Sequence, residues 1–127
     1  MSLAKMIETH PYDLPAKEHG EALEALVECA AHCRSCADAC LAGDDVAEMV
    51  RCIRSDLDCA AICDATAQVI AQPGSSGAPW RKLLSVCIEM CEACAEECGQ
   101  HDHAHCQECA DVCRRTAEVC RTLLEVA

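Results

Sequence analysis

The sequence predicts an all-α fold, an antiparallel up-down-up-down four-helix bundle with a short extra N-terminal helix, occupying residues 1–127 as a single domain. Three observations carry that prediction. Proline and glycine punctuate the chain at only a few places, leaving segments that suit helices of about 20 to 27 residues, or roughly 30 to 40 Å at about 1.5 Å per residue. Those segments are rich in Ala, Glu and Leu, which favour helix. The chain also repeats itself. Cys29, Cys33, Cys36 and Cys40 recur 58 positions later as Cys87, Cys91, Cys94 and Cys98, and Asp58-Cys59-Ala60-Ala61-Ile62-Cys63 is matched 50 positions later by Glu108-Cys109-Ala110-Asp111-Val112-Cys113. Two duplicated helical hairpins explain both shifts, the second having the shorter loop.

Each element has its own punctuation. Ser2 is placed to cap the short helix, about residues 3–9, which stops before His10-Pro11. Pro15 starts the first long helix, about 15–41, and Gly43 supplies its stop. Asp45 and Glu48 have capping-box spacing for the second, about 46–71. That helix ends in Gln72-Pro73-Gly74-Ser75-Ser76-Gly77-Ala78-Pro79, the only clear loop of any length. Pro79 suits the first turn of the third, about 79–98, which Gly99 ends, and Asp102 is the expected cap of the fourth, about 102–125.

Composition narrows the function. Fifteen of 127 residues are cysteine, a level normal for small secreted disulfide scaffolds. The odd count, the opening Met1-Ser2-Leu3-Ala4-Lys5-Met6 without an apolar leader, and the scarcity of turn residues predict instead reduced thiols in a cytoplasmic protein. No stretch reaches the roughly 18 apolar residues of a membrane span. Twenty-two acidic against ten basic residues, a net charge of -12, argue against nucleic acid as a partner, because phosphate binding needs a positive surface.

Helical geometry decides where the thiols point. At about 100° per residue, Cys29, Cys33, Cys36 and Cys40 fall within roughly 60° of one another, and Cys87, Cys91, Cys94 and Cys98 repeat that stripe. Cys52, Cys59 and Cys63 line one face of the second long helix; Cys106, Cys109, Cys113 and Cys120 line one face of the fourth. One buried cysteine is ordinary packing. Fifteen at a helical repeat predict a bundle whose centre is a tube of thiols. Cysteine is smaller than leucine, and an unfilled lumen costs about 20 to 25 cal/mol per Å³, so the tube is expected to hold something.

Thiolate selects soft ions: Cu(I), zinc or iron–sulfur clusters. The pairs Cys29/Cys33, Cys36/Cys40, Cys59/Cys63, Cys87/Cys91, Cys94/Cys98 and Cys109/Cys113 are each spaced i,i+4, with Cβ atoms about 5 to 6 Å apart. Two such sulfurs can flank one ion, which suits two-coordinate Cu(I). Zinc prefers a tetrahedron drawn from knuckle-like loops, and iron–sulfur clusters are wrapped by loop backbone; here every C-x₂-C lies inside a C-x₃-C run on a helix. Fifteen thiolates in a low-dielectric core also need neutralising charge. One monovalent ion per cysteine brings the core near neutrality, whereas zinc shared among four thiolates leaves a double negative charge. These features point to a non-enzymatic store of multiple Cu(I) ions, roughly one per cysteine. A zinc or iron–sulfur protein is the alternative. A thiol–disulfide oxidoreductase is a further one, but it requires an exposed, low-pKa cysteine at a helix start.

The up-down path puts both hairpin loops at one end, with Gly43-Asp44-Asp45, Met49, Cys40, Cys98, Cys106 and the run His101-Asp102-His103-Ala104-His105. His101, His103, His105 and Met49 are the expected ligands of an entrance for metal. Leu23, Leu26, Val27, Ile70, Leu83, Leu84, Leu123 and Leu124 are expected to plug the other end. His10, His19 and His32 are expected at the surface, and Met90 as core filler. Asp56 occupies the place where the repeat puts Cys106, which makes it a polar ligand or part of a water-lined wall.

The paired C-x₃-C-x₂-C-x₃-C helices, the duplicated hairpins and the histidine-bearing mouth resemble the copper storage proteins (Csp), cysteine-rich four-helix bundles that hold many Cu(I) ions along their interior. The likeness runs from about residue 15 onward. It implies Cu(I) binding for all fifteen cysteines and an entrance role for the mouth histidines. It further implies the cytosolic branch, whose members are homotetramers with a short extra helix; copper would come from a copper chaperone or a small thiol. Asp56, Ile70 and Ala117 depart from the pattern at positions where the stripes have room for a thiol.

Overall fold

A computed structural model describes residues 2–74 and 78–127. The expected loop residues Ser75, Ser76 and Gly77 lie outside the described residues. The helices are α1 (Leu3–Glu8), α2 (Ala16–Ala42), α3 (Val50–Ile70), α4 (Ala78–Gly99) and α5 (Ala104–Val126), with a 3₁₀ turn over Val46–Met49 leading directly into α3. Among the described residues there is no strand. Each long helix packs on its chain neighbour, and α2 closes the ring against α5, so α2 and α4 sit diagonally opposite. This is the expected four-helix bundle with its extra N-terminal helix.

Some of the expected punctuation holds and some does not. The Ser2 hydroxyl accepts from Lys5 N at 3.1 Å and caps α1. Pro15 precedes α2, and Gly43 follows it with φ -83°, ψ 176°, an extended conformation that needs no glycine. The Asp45–Glu48 capping box does not form. Glu48 N bonds the Asp45 carbonyl at 2.9 Å, while the Asp45 carboxylate receives His103 Nε2 from the other hairpin loop at 2.9 Å. Nor does Asp102 cap α5: His103 stands at that position and caps with no side-chain bond. In both cases a contact between the loops replaces a local signal.

Glycine matters most at Gly20, where α1 crosses α2. A Cβ there would lie 2.8 Å from the Ala4 Cα, so only glycine lets the backbones approach this closely. Ile7 anchors α1 from its inner face, 2% exposed.

The core divides along the bundle axis. At the end away from the hairpin loops, Leu23, Leu26, Ile70, Leu84 and Leu123 are buried, each contributing about 2 kcal/mol by leaving water. Leu83 and Leu124 are half-buried there. Val27 does not join them. It lies about 200° around the helix from Cys29 and is 46% exposed. Buried Thr66 and Thr116 donate to Ile62 O and Val112 O one turn back, which satisfies their hydroxyls inside the bundle. Beyond them the core is mainly cysteine, with small alanines such as Ala30, Ala60 and Ala110 between the thiols.

Candidate metal centre

All fifteen cysteines are buried and none is in a disulfide. The stripes predicted from the 3.6-residue period face one another across the bundle, so thiols meet both along and between helices. Within helices, Sγ atoms of Cys59 and Cys63 are 3.9 Å apart, as are those of Cys94 and Cys98. Between helices, Cys52 meets Cys98 at 3.5 Å, Cys33 meets Cys113 at 3.7 Å, and Cys63 meets Cys91 at 3.7 Å and Cys87 at 3.8 Å. A loose helical seam has become a continuous sulfur surface.

This surface breaks into overlapping sets of four donors, each set lying within 4.8 Å of itself. Nearest the plug are Cys29, Cys59, Cys63 and Cys91. Next come Cys29, Cys33, Cys59 and Cys113, then Cys33, Cys94, Cys109 and Cys113. Toward the loops lie Cys36, Cys40, Cys52 and Asp56, and finally Cys36, Cys40, Cys106 and His105 at the mouth. Neighbouring sets share two cysteines in three places. Ions held in adjacent sets would therefore share thiolates, as a dense monovalent array requires.

Asp56 sits at the junction of the inner and outer sets. It is fully buried, and its Oδ1 accepts from Cys94 and Cys98 at 3.3 Å each and from Cys109 at 3.4 Å. Burial first, then the charge of Cys94 and Cys36, pushes its carboxyl up to about 9, so it is neutral at physiological pH. The sequence reading made it a polar ligand or part of a water-lined wall; the structure buries it among thiols, in one donor set with Cys36, Cys40 and Cys52. Burial likewise pushes the Cys40 thiol up to about 11, with the Cys36 charge adding to it. It also raises Cys106 and Cys120. These positions favour the neutral thiol until a cation arrives to offset the charge.

The mouth histidines divide by role. His105 Nδ1 lies 3.4 Å from Cys36 Sγ and 3.5 Å from Cys106 Sγ, completing a four-donor set. His103 stacks on it, with ring centroids 5.3 Å apart and planes 6° apart, and is held by Asp45. That contact keeps the Asp45 carboxyl below its usual range. His101 turns back to Glu97 Oε2 at 2.8 Å. Met49 is buried at 1% exposure, at the end of the 3₁₀ turn. His10 stacks on Tyr12, and His32 Nδ1 lies 2.9 Å from Glu28 O. His19, expected at the surface, is buried at 5% exposure, because its ring turns inward to meet Ile70 O at the end of α3 and lies beside Trp80. Met90 is half-buried against the core, as expected of filler.

Comparison with known proteins agrees with this geometry. The family described as copper storage protein matches residues 15–125. The chain is 36% identical to Ccsp from Streptomyces lividans in its structure loaded with 10 copper equivalents, with TM-score 0.94 over 99% of this chain and 100% of that one. A structure of copper loading to a cytosolic copper storage protein from the same organism, with five coppers, is 39% identical over 86% of this chain and 93% of that one, with TM-score 0.83. The Cu(I)-bound copper storage protein BsCsp3, of Bacillus subtilis, is 34% identical over 87% of this chain and 99% of that one, with TM-score 0.75. A family match over almost the whole chain, joined to a thiol-lined bundle of the same shape, places this protein in the copper storage protein family.

Proposed function

We propose that this protein stores many Cu(I) ions, roughly one per cysteine, on Cys29, Cys33, Cys36, Cys40, Cys52, Cys59, Cys63, Cys87, Cys91, Cys94, Cys98, Cys106, Cys109, Cys113 and Cys120. The carrying observation is the succession of donor sets from the mouth to the plug, sharing cysteines within the inner three and the outer two and joined between them by Asp56, which accepts from Cys94 and Cys109. Separate structural sites would be isolated from one another; a shared array accepts ions at high density and lets them move between sets. Thiolate donors suit a soft monovalent ion, and the fully buried sulfurs exclude water from it. Copper-loaded relatives of the same fold support the same cargo.

The mouth supplies the way in. His105 is the nitrogen donor of the first set, His103 stacks on it, and His101 and Met49 are assigned as the remaining entrance residues. The role is storage and buffering in the cytoplasm, in keeping with the cytosolic relative, and no step at carbon or phosphorus is needed. The 127 residues act as one unit, assembled into homotetramers as the family resemblance implies, with copper handed over by a chaperone or a small thiol. Anaerobic titration of the reduced protein with Cu(I) against a chromophoric chelator tests the reading. Uptake should continue to more than ten equivalents, on the order of one per thiol; saturation at one or two would overturn it.

A further inference from the structure

The turn between α4 and α5 has a demanding task. Only residues 100–103 separate Gly99 from Ala104, and His105 must arrive on the first turn of α5 with its ring over sulfurs from two helices. The start of α5 has no side-chain cap, since His103 makes none. A shift of the turn by about 1 Å would spoil a donor set of this precision.

One side chain holds the turn in place. Gln107, exposed and one helical turn past His103, donates from Nε2 to Gly99 O at 3.2 Å and to His101 O at 2.6 Å. The backbone amides of Gln100 and His101 bond Glu97 O and Cys98 O, leaving the last carbonyl of α4 to this amide. Gln107 thus ties the end of α4, the middle of the turn and the first turns of α5 into one unit. Both of its hydrogen bonds go to backbone carbonyls, and its side chain lies outside the buried core.

We propose that Gln107 is a positioning residue for copper capture: by clamping Gly99 O and His101 O, it presents His105 Nδ1 to Cys36 and Cys106 before an ion arrives. This rests on the reading of the mouth as a copper site. Groups that orient a metal ligand from behind typically alter metal affinity about 10- to 100-fold when removed. The effect of Gln107 should fall on the first ions bound, not on the total held.

The test uses the full-length, reduced protein under anaerobic conditions. Affinity for the first equivalent of Cu(I) is measured by competition with bathocuproine disulfonate, and capacity by titration to saturation. Gln107→Leu should weaken first-equivalent binding about tenfold while leaving capacity and helix content as in the wild type. Gln107→Glu keeps the size but cannot donate to two carbonyls, and should weaken it as well, although its negative charge alone would strengthen the attraction for a cation. In a His105→Ala background, Gln107→Leu should have no further effect, because the residue it orients is gone. Unchanged affinity in Gln107→Leu, wild-type behaviour of Gln107→Glu, or the same loss with and without His105 would each overturn the proposal. Failure of the storage reading looks different: every variant and the wild type would then saturate at one or two ions.

Discussion

The carboxyl group of Asp56 makes the metal-free protein sensitive to pH in a way that a single substitution removes. Asp56 is fully buried, and its pKa rises from an ordinary 3.8 to about 9. The folded state therefore prefers the protonated acid, while the unfolded chain ionises near pH 4. The contribution to stability is intact below about pH 4 and is lost as pH climbs toward 9. Each unit in that interval costs about 1.4 kcal/mol, so between pH 5 and 7.5 the loss amounts to about 3 kcal/mol. Asp56→Asn keeps the size and the oxygen that accepts from Cys94, Cys98 and Cys109, but it cannot ionise. Guanidinium unfolding of both proteins, reduced and with a chelator present, should be followed by circular dichroism across that interval. The six histidines are common to both proteins, and the fifteen cysteines are common to both as well, so the difference between the two curves reports the ionisation of Asp56. The wild type should lose stability relative to the variant by about 1.4 kcal/mol per pH unit. Parallel curves would mean that the carboxyl ionises in the folded tube at no cost, and would refute the reasoning.

Two other substitutions probe the lumen and the packing outside it. Replacing Cys33 and Cys91 by serine should lower copper capacity, because each belongs to the overlapping sets, with little loss of helix by circular dichroism; unchanged capacity would show that these thiols hold no ion. Gly20→Leu should lift α1 from α2, since even a Cβ meets the Ala4 backbone at 2.8 Å. The expected loss is about 1 to 3 kcal/mol, seen as faster proteolysis before residue 10 with copper capacity intact.

The long helices and the inward thiol stripes were legible because both follow from a periodicity that survives folding: residues three and four apart must share a face. The same rule accounts for the two residues found away from their expected places. Val27 lies about 200° from Cys29 and belongs outside, whereas His19 lies on the inner half of the same helix; helical angle, not residue type, sets the burial of both. What no local rule reaches is contact between segments distant in sequence. Asp45 has the spacing of a cap, yet its carboxylate is taken by a histidine 58 residues away. Asp56 reads as one missing thiol in a repeat, and only the assembled bundle shows three helices directing sulfur at its oxygens. Gln107 carries no motif at all, since its partners are backbone carbonyls of another helix and of the turn before it.

On the proposed reading copper enters at the histidine mouth while buried leucines close the far end, and that sets a chronology on whatever fills the tube. Ions that travel farthest in must pass back through the sets nearer the mouth before they leave. A cell drawing lightly on such a reserve would empty the sets near the rim first, and the sets against the leucines only in a severe shortage.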